Sequence, residues 1–146
     1  MAGEKELQLI LRDATRLDEA NTEHNRLLAR LHDHVIQSGP VEALAWTGHG
    51  PAESSFDLGW GDPDRVTVAE VKSTHAMNET QQLRLGLGQV LQYRTQVAEG
   101  LQEEDERPVR AVLFISSEPA DPIWGKVCRS TGVDLLWDGI LDTFQP

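Results

Sequence analysis

Apolar positions recur at two different spacings along this chain, and the changes between them outline its elements. Leu7, Ile10, Leu11, Ala14 and Leu17 repeat every three or four residues, which predicts an amphipathic helix over 4–19. Leu27, Leu28, Leu31 and Val35 repeat the pattern. Asn21 or Thr22 supplies a cap and Ser38-Gly39-Pro40 a stop, so a second helix should run to about Gln37. The period then shortens. Residues 41–47 (VEALAWT) read as a first strand, and 54–60 as a short second strand with Asp57 in its middle. A Gly-Asp-Pro-Asp turn leads to a third strand, 65–72, in which Val66, Val68 and Val71 stand among polar residues.

A polar loop with His75 separates this strand from a helix expected over 79–98. Asn78 and Gln81 are spaced as a variant capping box at its start. Gly86 and Gly88 each cost about 1 kcal/mol against alanine inside a helix, so the pair predicts close approach to the sheet or to a ligand. Residues 109–115 (VRAVLFI) are apolar on both sides, as in a buried strand. A short helix over 119–131, with Trp124, Val127 and Cys128 inward, and a last strand over 133–137 follow. Residues 138–146 carry no readable period. The order predicts an α/β domain over 20–146, a central mixed sheet flanked by helices, with an accessory helix in 1–19.

Chemistry concentrates on the third strand. Glu70 and Lys72 are two apart and share a face, which Asp57 joins if the strands pair as a hairpin. Two carboxylates and the Val71 carbonyl make an oxygen site suited to Mg²⁺ or Mn²⁺. A lysine beside it can position an attacking water or stabilise charge on a phosphate. Gln82, Gly86, Gln89 and Tyr93 line one face of the next helix, which should look at this cluster. The plainer alternative makes Asp57 a turn residue and Glu70–Lys72 a surface pair.

Asp57, the Glu70-Val71-Lys72 triplet thirteen residues later, and Gln89-Val90-Leu91-Gln92-Tyr93 together resemble the PD-(D/E)XK nuclease superfamily, in its RecB-like branch with a Q-x-x-x-Y motif. The likeness spans about 20–137. Phe56 stands where the family has proline before its aspartate. The resemblance implies a restriction-endonuclease-like core and metal-dependent hydrolysis of DNA. Asp57, Glu70 and the Val71 carbonyl would hold the metal. Lys72 would assist the water, Gln89 would orient Lys72 or the substrate, and Tyr93 would sit beside the scissile phosphate. In this branch a first-helix histidine can reach the metal, and His24 occupies the matching position, with Glu23 its rival. His32 and His34, two apart on a helix, face different ways and make no metal pair. Arg84 and Arg94 are candidates for phosphate contact.

Charge complicates that expectation. Lys and Arg number 13 against 24 Asp and Glu, a net charge of −11, whereas nucleic-acid binders are usually basic. Glu99, Glu103, Glu104, Asp105 and Glu106 cluster in one segment, read as a solvated surface loop. DNA affinity should then be weak without a partner, a second subunit of a homodimer, or a basic track. The competing expectation is an acidic, catalytically silent interaction module, docked through the first helix in a larger complex or masking a basic protein. One cysteine, Cys128, permits no disulfide within the chain. No apolar run reaches the ~20 residues of a membrane span and the first residues are charged, so a cytoplasmic location is expected.

Overall fold

The computed structural model describes residues 22–43 and 56–146. The helix expected over 4–19, residues 44–47 of the first strand and the loop carrying His49 lie outside them. A helix over 22–37 (α1) precedes five strands: Glu42–Ala43 (β1), Leu58–Gly61 (β2), Val66–Lys72 (β3), Val109–Ile115 (β4) and Val133–Trp137 (β5). Helix Glu79–Gly100 (α2) links β3 to β4, and Ile123–Thr131 (α3) links β4 to β5. A 3₁₀ helix, Asp138–Thr143, follows β5.

The sheet runs β1-β2-β3-β4-β5, antiparallel between its first three strands and parallel between its last three. The fold is therefore α/β with a mixed sheet. Alternation on β3 divides the core between two faces. Val66 and Val68 join Leu83, Val90 and Val97 of α2 and Trp124 and Cys128 of α3. Ala69 and Val71 pack on Leu27, Leu31 and Val35 of α1, with Leu141 and Phe144 after β5. Each fully buried leucine or valine contributes about 1.5–3 kcal/mol. With helices on both sides, every residue from Val66 to Val71 is buried, the polar Thr67 and Glu70 included. The alternation thus marks a central strand and not a half-exposed one.

Local chemistry explains where elements stop. Ser38 donates its main-chain N–H back to His34. Gly39 then takes a φ of 143°, a left-handed region that favours glycine, and Pro40 bars further helix. α3 closes on Gly132, with φ 69°. The expected capping box at α2 is absent. Asn78 is the N-cap residue but makes no side-chain cap bond, because its Oδ1 accepts the His75 main-chain N–H at 2.8 Å. None of the described helices is long and apolar enough to cross a membrane.

Candidate functional site

β3 carries the site at its carboxyl end. In the β2–β3 register Leu58 faces Ala69, so Asp57 stands opposite Glu70, across the strand pair. Asp57 falls just before β2 and not in its middle. Its main-chain N–H donates to the Ala69 carbonyl at 3.2 Å. Its side chain then turns back, and Oδ2 accepts the Val71 N–H at 2.8 Å. This bend sets the carboxylate beside Glu70, close enough for each acid to shift the other's acidity. Lys72 Nζ lies 3.4 Å from Glu70 Oε1, in a largely buried pair. His24, one turn before Leu27 on α1, places Nε2 3.2 Å from Asp57 Oδ2.

The helix face expected to cover the cluster does so. A Cβ on Gly86 would stand 2.9 Å from Lys72 Cγ and 2.7 Å from Leu113 Cδ1, so only glycine lets α2 come this near. Gly88 is different: nothing lies within 4 Å of its Cβ position, and it is exposed. Gln89 Oε1 is buried without a hydrogen-bond partner. Tyr93 is buried in the same layer. Gln82 Nε2 donates to the Ser73 carbonyl at 3.2 Å and so holds the loop that follows Lys72.

Electrostatics separates the two acids. Burial, then repulsion from Asp57, pushes the Glu70 carboxyl up to about 9, while Lys72 pulls it down. Burial would raise Asp57 too. The hydrogen bond and charge of His24, then the Val71 N–H and Glu70, outweigh it and hold Asp57 below the ordinary carboxylate value. Burial, aided by repulsion from both acids, also lifts the Tyr93 phenol to about 12. A buried pair with divergent acidities holds one proton in the space a cation would fill. Glu70 Oε2, buried with no hydrogen-bond partner, is an oxygen that such a cation would satisfy.

The donors fit a hard cation of Mg²⁺ type in part. Among the described residues no three His, Cys, Asp or Glu side chains are grouped to hold a metal. Asp57, Glu70 and the Val71 carbonyl would therefore be the protein's share, with water completing the shell, as Mg²⁺ prefers. His24 reaches Asp57 and is the first-helix residue at the cluster. Glu23 instead pairs with Arg26 at 2.8 Å, an interaction that lowers its carboxyl.

Neither of the arginines expected to contact phosphate pairs with the cluster among the described residues, and two arginines of α1 are engaged elsewhere. Arg94 Nη1 donates to the Thr131 and Gly132 carbonyls at 3.0 and 3.3 Å, closing the end of α3. Arg84 is exposed, two positions from Gly86 and hence on the far side of α2. Arg26 and Arg30 grip the two oxygens of Asp138, at 3.1 and 2.9 Å. The acids 99–106 lie at the opposite end of the sheet from the cluster, where α2 returns to the start of β4. His32 and His34 diverge, one beside Asp33 and the other 2.8 Å from the Phe144 carbonyl.

Sequence reasoning missed Ser116, which follows β4. Its Oγ accepts the Thr74 N–H at 2.9 Å, joining the ends of β3 and β4 beside the site. The available signal was topological, since the carboxyl ends of parallel strands are where open sheets bind ligands. Comparison with known protein families, with curated proteins and with solved structures gave no match.

Proposed function

We propose that this chain is a divalent-metal-dependent nuclease that hydrolyses DNA phosphodiester bonds at Asp57, Glu70 and Lys72. One observation carries the reading: a buried, unpartnered Glu70 oxygen stands opposite Asp57 and beside a buried lysine. An isolated fold has little reason to bury this combination, because one lost partner strands a charge.

A bound Mg²⁺ or Mn²⁺ would supply Lewis-acid neutralisation of the phosphate and a lowered pKa for water. The chain's own residues do the rest. Asp57 and Glu70 hold their oxygens toward a common point. Lys72, with its stem against Gly86 and its Nζ beside Glu70, directs a donor at the oxygen that gains charge when water attacks phosphorus. The P–O bond opposite the water then breaks, and the proton that the attacking water gives up ends on the leaving oxygen. Gln89 and Tyr93 cover the cluster and keep bulk water from it. His24 holds Asp57 in its bent position.

A second reading has its own observation. Arg26, Arg30 and Arg94 are all engaged within the chain, so none of the three is free to hold nucleic acid at the acid pair in a protein of charge −11. That favours either a nuclease that borrows its DNA grip from a partner or second copy, or a silent acidic module. Incubation of linear, nicked, flapped and single-stranded DNA with Mg²⁺ or Mn²⁺ separates them. Wild type should cut at least one substrate and Lys72→Ala none. Equal activity in both would assign the cutting to another source and leave the module.

A further inference from the structure

β5 is the sheet's last strand, and a groove of about 530 Å³ runs beside it, between α3 and the segment after the 3₁₀ helix. It stands apart from the acid pair. Arg110 in the groove faces Thr67 across β3–β4, whereas Lys72 faces Ile115, five residues on, or roughly 16 Å along the strands.

Three of the chain's 13 basic residues converge here, Arg65 from the β2–β3 turn, Arg110 from β4 and Arg129 from α3. The Gln145 carbonyl oxygen accepts from both Arg65 Nη2, at 3.2 Å, and Arg110 Nη1, at 2.9 Å. Arg65 Nη2 also reaches the Pro146 carbonyl at 3.3 Å. Two guanidiniums thus meet on the Gln145 peptide carbonyl. Their acidic neighbours stand off, Asp134 at 4.0 Å from Arg110 and Asp62 at 4.0 Å from Arg65. Arg129 has no ion pair among the described residues and lies across Gly125, its Nη1 3.3 Å from where a Cβ would be. Arg110 is fixed by Thr67 Oγ1 at 3.2 Å and by the Phe144 ring, 4.7 Å from its Cζ, and its Nη2 is buried without an acceptor. Burial, then repulsion from Arg65, pushes its guanidinium down to about 10, against the pull of Asp134 and Asp62.

We propose that this groove is a phosphate-binding site, in which a phosphate takes the place of the Gln145 carbonyl between Arg65 and Arg110 and is met from the other wall by Arg129. Three planar donors from three elements suit a group with three free oxygens, while a carboxylate is satisfied by one fork. Leu135 and Trp137 line the groove beside the arginines and give an attached apolar or aromatic body a wall. The site is independent of the nuclease reading.

Calorimetric titration with inorganic phosphate, a nucleoside monophosphate and acetate tests it. Phosphate should bind and acetate should bind at least about tenfold more weakly, the difference expected when charge-assisted hydrogen bonds are lost. Tighter binding of the nucleotide would identify the phosphate's source as an ester with a flat body, and equal binding the free ion. Arg129→Gln, an exposed position that should leave folding intact, and Arg65→Gln should each weaken phosphate binding about tenfold. Glu70→Gln should leave it unchanged. Absence of phosphate binding at millimolar concentration, acetate binding as tight as phosphate, or unaltered affinity in both arginine variants would overturn the site.

Discussion

Gly86 and Lys72 are in contact at a distance that a side chain at position 86 would not permit. The Cβ position of Gly86 lies 2.9 Å from Lys72 Cγ, so the helix backbone itself forms one wall of the lysine's channel. Gly86→Ala should displace Lys72 or Leu113 and lower DNA cleavage by about 10- to 100-fold, since ångström-scale misplacement of a catalytic group costs that much. Gly88→Ala, two residues away with open space around it, should instead stabilise the chain by up to about 1 kcal/mol and leave cleavage intact. Denaturant titration and cleavage rates of the two variants check the contrast. Equal effects on activity would refute the packing role.

The acid pair sets a pH dependence for the metal-free chain. Unfolded, Glu70 loses its proton near its ordinary value of 4.5; folded, near 9. The folded state binds the extra proton between these values, so the stabilisation is complete below about 4.5 and is lost as pH rises through about 9. Asp57, held low, acts in the opposite sense and only in acid. The metal-free protein should therefore melt at lower temperature at pH 9 than at pH 6, and Glu70→Gln should flatten that slope. An unchanged slope in the variant would show that another group carries it.

Arg94 is predicted to be structural. Arg94→Ala removes a charged donor from the last carbonyls of α3 and should destabilise by about 1 kcal/mol, with DNA affinity unaltered. Arg84→Ala, at an exposed position, should change stability little. A loss of DNA binding in Arg94→Ala without loss of stability would return that residue to the substrate.

What the sequence disclosed depended on the range of the interaction. β4 and β5 begin and end where their apolar runs do; in β4 the run is continuous because the strand lies between two others with helices on both faces. The Asp57–Glu70–Lys72 grouping was legible from strand parity and hairpin pairing. The partners of Arg26, Arg30 and Arg94 were not, since Asp138 and Thr131 lie far along the chain and only the folded sheet brings them near. Segment 138–146 looked featureless, yet Leu141 and Phe144 seal the α1 face as a 3₁₀ turn, whose three-residue period is too short to register as an amphipathic helix. Asn78 looked like a cap, but a nearer N–H, that of His75, claimed its side chain.

The central claim is that Asp57 and Glu70 form a metal site, and calorimetric titration of the metal-free protein with Mn²⁺ tests it most directly. Glu70 holds a proton near neutral pH, so a bound cation must expel it, and the heat at pH 7 should change with the ionisation enthalpy of the buffer as for about one proton released. Glu70→Gln should abolish both the binding and the proton. Binding in wild type with a released proton, and neither in the variant, is the predicted result. No binding at millimolar Mn²⁺, or identical binding in Glu70→Gln, would contradict the account.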